Sequence, residues 1–167
     1  CPIRFRHCVN RASCDLNFSA RANDGKAIII DAGMHTEQEQ QRFAEYIHQQ
    51  HIDPIALLIT HSHPDHICGL AFLEQQYQLH PIIHPEEGIL EFHEANIRID
   101  VIATPGHKED AVCYYLPNEK ILFTGDTLFQ ESIGRTDLPG GDMATLIRSL
   151  QKLITLPEDI QIYPGHG

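Results

Sequence analysis

The chain has 167 residues, about one domain's worth and enough to bury a sizeable core. Its 12 Lys and Arg stand against 23 Asp and Glu, and the formal charge of −11 opposes phosphate-backbone binding, so nucleic acid is a disfavoured partner. No stretch approaches the ~18 to 20 apolar residues of a membrane span, and the opening CPIRFRHCVNRASC has no apolar h-region, so a single soluble, cytoplasmic domain over residues 1–167 is expected, with no membrane partner.

KAIIIDAG (26–33) is a short apolar run ended by Gly and reads as a buried strand. TEQEQQRFAEYIHQQ (36–50) opens with Thr36 and Glu39 at capping-box spacing and puts Phe43, Ala44 and Ile47 on one helical face. IALLIT (55–60) is a second buried strand, followed by a predicted helix over DHICGLAFLEQQYQ (65–78). Further strands are predicted at HPIIH (80–84), IRIDVIAT (97–104), AVCYYL (111–116), KILFTGD (120–126) and IQIYPG (160–165), with a helix from Asp142 over 142–154. Strands alternating with helices, without repeats or a linker, indicate an α/β layered fold.

Cys1, Cys8, Cys14, Cys68 and Cys113 form an odd set without a Cys-x-x-Cys pair, which signals neither a thiolate zinc site nor a disulfide framework. They are expected to be mostly reduced, with Cys68 a small buried residue on a helix face.

The chemistry concentrates in LLITHSHPDHICGLAFL (57–73), where His61, His63, Asp65 and His66 fall within six positions. That spacing fits no single helix or strand face, but a tight turn after a strand lets all four point into one cavity. Three more candidates, His107, Asp126 and His166, also follow apolar strands and sit beside Gly. Imidazole and carboxylate donors suit zinc, iron or manganese, and seven are more than one tetrahedral ion takes. Two ions sharing a carboxylate would use them all. The remaining seven histidines lack this context and read as ordinary surface or core residues.

THSHPDH resembles the His-x-His-x-Asp-His signature of the metallo-β-lactamase superfamily, and TPGH, FTGD and YPGHG resemble its later metal-binding motifs in the expected order. ILFTGDTLFQESIGRTDLPGGD (121–142) is similar to the glyoxalase II-like branch. The resemblance implies an αβ/βα sandwich with two central mixed sheets. It also implies two divalent ions, zinc first with iron or manganese as alternatives. One would be held by His61, His63 and His107, the other by Asp65, His66 and His166, with Asp126 bridging. A metal-bridging hydroxide would then attack a thioester such as S-lactoylglutathione, with Asp65 orienting it. Arg135 aligns with a basic residue that contacts a glutathione carboxylate in such enzymes, although a salt bridge to Asp137 or Asp142 accounts for it equally well. Asp31 resembles a buried position that supports the ligand turn.

The chain departs from that branch in three places. The given sequence ends one residue after His166, so the C-terminal helical region with which that branch grips glutathione is expected to be missing; a segment near residue 85 is lacking, and GHKED replaces the usual turn after the Gly-His. Lys108, Glu109 and Asp110 are expected on a solvated rim. The expected substrate is a small thioester, glutathione-derived or similar, handled by a monomer or homodimer. The alternatives are a mononuclear-iron persulfide dioxygenase, with His61, His107 and Asp126 as the matching residues, and a shortened or engineered metal-binding scaffold with little activity.

Overall fold

A computed structural model describes residues 4–9, 16–21 and 25–166. The chain divides into two compact units, one of Cys1–Ile59 and His63–Ile83, the other of Thr60–Ser62 and His84–Gly167.

The first unit holds a five-stranded mixed sheet in the order β1-β2-β3-β4-β5. β1 (Arg4–Val9), β2 (Leu16–Arg21) and β3 (Lys26–Ile30) pair antiparallel in succession. The sequence pattern predicts neither β1 nor β2, because polar residues interrupt both runs. β4 (Asp53–Leu58) lies parallel to β3 after the crossover helix α1 (Glu37–Gln49). The expected capping box starts α1: Glu39 N donates to Thr36 Oγ1 at 3.2 Å, and Thr36 N donates to Glu39 Oε2 at 2.9 Å. Phe43 and Ile47 bury the inner face of α1 against Ile29, Leu57 and Ile59, each large apolar side chain contributing roughly 1.5–3 kcal/mol.

The helix predicted over 65–78 is two helices, α2 (Pro64–Ile67) and α3 (Leu70–Tyr77), broken at Cys68 and Gly69. The residues after β3 impose the break. Gly69 N donates to Ala32 O at 2.7 Å, Ala32 N donates to His66 O at 2.7 Å, and a Cβ on Gly69 would lie 2.8 Å from Met34 Cε. Cys68 is therefore a half-buried cap residue with its Sγ 3.7 Å from Ala32 O, and not a buried residue on a helix face. β5 (Pro81–Ile82) closes the sheet parallel to β4.

The second unit holds another five-stranded mixed sheet, in the order β10-β9-β8-β7-β6. β6 (Gly88–Phe92), β7 (Ile97–Ala103), β8 (Val112–Leu116) and β9 (Ile121–Gly125) form an antiparallel meander. The chain then returns through α4 (Met143–Leu153) to β10 (Gln161–Pro164), which lies parallel to β9. β8 and β9 are buried at every position, so they show apolar runs without alternation. β6 lies outside the predicted elements. Asp142 caps α4 by accepting from Thr145 N at 2.6 Å, so it is not a partner of Arg135.

Among the described residues no helix is long and apolar enough to cross a membrane. Cys1 and Cys14 lie outside the described residues, and Cys68 and Cys113 are thiols not joined in a disulfide.

Candidate metal centre

In the first unit, the chain directions bring two segments to one sheet edge. β3 and β4 are parallel, so Asp31 and Ile59 leave the sheet together, and Asp31 N donates to Leu58 O at 2.8 Å. Asp31 has φ 62°, a left-handed conformation that aspartate tolerates better than most residues. Its Oδ2 accepts from His66 Nδ1 at 2.8 Å, and both side chains are 2% exposed. In a neutral His66 ring the lone pair then sits on Nε2, 3.9 Å from Asp65 Oδ2. His63 is the N-cap of α2, Pro64 takes the first helical position, and His66 N donates to His63 O at 2.9 Å. One short helical turn thereby carries His63, Asp65 and His66.

In the second unit β7, β9 and β10 run in the same direction, so the segments after their C-terminal ends share an edge. These segments bear His107, Asp126 and His166. Gly125 and Pro164 are partners in the sheet, which sends Asp126 and His166 out side by side. His107 Nε2 lies 3.6 Å and His166 Nε2 lies 3.4 Å from the same oxygen, Asp126 Oδ2. Thr60 O accepts from Val112 N at 2.9 Å, fixing the neighbouring His61 beside the start of β8. The His61 and His107 rings stand edge to face with centroids 5.0 Å apart, and His61 has ligand atoms within 4.8 Å of those of His107 and Asp126.

Glycines make this packing feasible. A Cβ on Gly165 would fall 2.3 Å from Asp126 Oδ1, and one on Gly134 would fall 1.9 Å from Asp126 O. Gly106 has φ +136°, and a Cβ there would fall 2.4 Å from the Leu146 backbone.

The donor set fits a cation. His107 Nδ1 donates to Arg135 O at 2.8 Å, so in a neutral ring Nε2 presents a lone pair toward the Asp126 carboxylate. At 3.6 Å that contact is longer than a hydrogen bond, and two electron-rich atoms facing each other repel unless a positive charge lies near both. His66 and Asp65 repeat the pattern in the first unit.

Arg135 pairs with Asp137 in a two-point contact, Nε to Oδ1 at 2.8 Å and Nη2 to Oδ2 at 2.6 Å. The guanidinium holds the Asp137 carboxyl down at about 2. The backbone carbonyl of Arg135, which no sequence motif marks, is what orients His107. Asp110 is also missed by sequence reasoning. It is not on a solvated rim but 13% exposed, accepting from Ser62 N at 3.0 Å and lying 3.0 Å from His84 Nδ1. Lys108 is half-buried with its ammonium on Ser62 Oγ, whereas Glu109 is exposed as expected.

The family model described as metallo-β-lactamase superfamily matches residues 20–101 and 86–166. A probable metallo-hydrolase of Bacillus subtilis, YqgX, is 31% identical, covering 87% of this chain and 82% of its own length. The hydroxyacylglutathione hydrolase of Brucella ovis is 39% identical over 66% of this chain, and the match spans 47% of that protein. Among solved structures, the B3 metallo-β-lactamase BLEG-1 superposes with a TM-score of 0.90 at 27% identity, covering 98% of this chain and 92% of the other. That likeness shows the fold class expected from the motifs, two mixed sheets with flanking helices.

Proposed function

Because the chain belongs to the metallo-β-lactamase superfamily, we propose that it is a metal-dependent hydrolase of the glyoxalase II type, acting on a thioester such as S-lactoylglutathione. The observation that carries this reading is the placement of two imidazole Nε2 atoms, those of His107 and His166, on one oxygen of Asp126. A carboxylate between two imidazoles suits a shared ligand, and its oxygen donors accept zinc, iron or manganese. Support for the thioester comes from the hydroxyacylglutathione hydrolases, of which the chain matches less than half the length.

In this reading, which follows the family resemblance, His61, His63 and His107 would hold one ion, Asp65, His66 and His166 the other, and Asp126 would be shared. Bound divalent ions supply Lewis-acid charge that acidifies water near neutral pH and polarises a carbonyl. The chain's own residues set the stage for that chemistry. The His107 and His66 rings are locked by Arg135 O and Asp31, so their Nε2 atoms are aimed before a ligand arrives. Asp65, with its side chain 36% exposed at the start of α2, would orient the nucleophile. A thiolate leaving group is weakly basic, so no strong general acid is required. Arg135 receives a substrate carboxylate by exchanging it for that of Asp137.

Metal analysis coupled to S-lactoylglutathione hydrolysis, before and after chelation, tests this. About two ions per chain and chelator-sensitive turnover are expected from the two ligand sets. A second reading has one specific support: His61, His107 and Asp126, the set matching a mononuclear-iron persulfide dioxygenase, gather within the second unit. One iron per chain, with oxygen uptake on glutathione persulfide and no hydrolysis, would establish that reading in place of the first. Metal bound without either turnover would leave a metal-binding scaffold.

A further inference from the structure

We infer that Asp110 is a positioning residue that clamps the metal-binding turn. The inference rests on the reading that His61 and His63 are ligands. Ser62 is the residue between them, and its backbone N–H donates to Asp110 Oδ2 at 3.0 Å across 48 positions of sequence. A peptide plane is rigid, so fixing the N–H of Ser62 fixes the plane that joins it to His61 and limits where the His61 imidazole can point. A carboxylate accepting a backbone N–H forms a charge-assisted bond, stronger than a neutral one.

The surroundings show that the contact is built, not incidental. The Asp110 side chain is 13% exposed, and its Oδ2 also lies 3.0 Å from His84 Nδ1. Its Oδ1 is buried with no hydrogen-bond partner among the described residues. Lys108 also holds Ser62 by its side chain, its ammonium donating to Ser62 Oγ. The clamp comes from the segment Lys108–Asp110, immediately after His107, so the loop that supplies one proposed ligand also sets the turn that supplies two others.

The test is zinc affinity by chelator competition, measured for the wild-type chain, Asp110→Ala and Asp110→Asn, with the melting temperature of each metal-free protein. Outer partners of ligands typically control metal affinity by roughly 10- to 100-fold, and Asp110→Ala is expected to lose that much. Asp110→Asn keeps an oxygen for the Ser62 N–H and should stay within roughly threefold of wild type, a small part of that range. Equal affinity in Asp110→Ala and wild type overturns the clamp. So does an Asp110→Asn variant as weak as Asp110→Ala, which would assign the effect to charge alone. A loss in Asp110→Ala matched by collapse of the metal-free melting temperature, without rescue by Asp110→Asn, reduces the residue to a structural one. Failure of the wild-type protein itself to bind zinc, iron or manganese overturns the metal-centre reading instead, and so separates the two.

Discussion

His66 Nδ1 and Asp31 Oδ2 meet at 2.8 Å in a pair whose side chains are each 2% exposed. The two residues come from different strand ends, and their contact fixes the ring so that Nε2 faces Asp65. Asp31→Asn keeps an oxygen and tolerates φ 62°, so it should fold but weaken metal affinity roughly 10- to 100-fold. Asp31→Ala leaves the buried His66 N–H unsatisfied, at a cost of about 1–3 kcal/mol. It also places alanine in the left-handed region for a further cost of roughly 1–2 kcal/mol. Chemical denaturation of the metal-free proteins measures both losses; equal stability of Asp31→Ala and wild type would refute the assignment.

Gly165→Ala tests the cradle of Asp126. The new methyl would start 2.3 Å from Asp126 Oδ1 and 2.9 Å from Gly125 C, so the carboxylate or the end of β10 must shift. Metal content after dialysis should fall well below that of wild type. Circular dichroism should stay close to that of wild type, because the change lies beyond the last strand. Full metal retention would show that the carboxylate has room the geometry denies it.

The Arg135–Asp137 pair gives a pH prediction. Folding lowers the Asp137 pKa to about 2 from an ordinary value of 3.8, so the folded state favours the ionised carboxyl. Its contribution is therefore present above about pH 4 and is lost as pH falls toward 2. Both groups are exposed, so water and salt screen the effect. Melting curves of metal-free wild type and Asp137→Asn, taken between those pH values at low ionic strength, should converge as acid is added. A constant separation would assign the difference to something other than this ionisation.

Cys113 should be chemically silent in the folded protein. Its thiol is fully buried and pushed up to about 11 by desolvation, and it lies 3.3 Å from Thr104 Oγ1. A thiol reagent at pH 8 should modify half-buried Cys68 slowly and leave Cys113 untouched until denaturant is added. Mass spectrometry of the labelled peptides distinguishes the two, and rapid labelling of Cys113 under native conditions would contradict its burial.

How much of the molecule is legible in the sequence depends on the range of each interaction. The capping box of α1, the Asp142 cap of α4, and the apolar runs of β3, β4, β8 and β9 appear in short windows because the interactions behind them are local. The candidate ligands are legible for a similar reason. Metal chemistry admits few donor types, and His61, His63, Asp65 and His66 crowd one turn while His107, Asp126 and His166 each follow a strand end.

What tertiary structure alone decided is the set of partners that orient those donors. Arg135 O on His107, Asp110 on Ser62 N and the interruption at Gly69 all depend on segments 28, 48 and 37 positions apart in sequence. A backbone carbonyl carries no side-chain signature, and an aspartate in GHKED looks like any solvated charge until the fold turns it inward. The sequence by itself therefore determined which atoms can ligate a metal, because that is a property of residue type. Where those atoms point was decided only by the packed chain, because direction comes from hydrogen bonds between residues that meet only after folding.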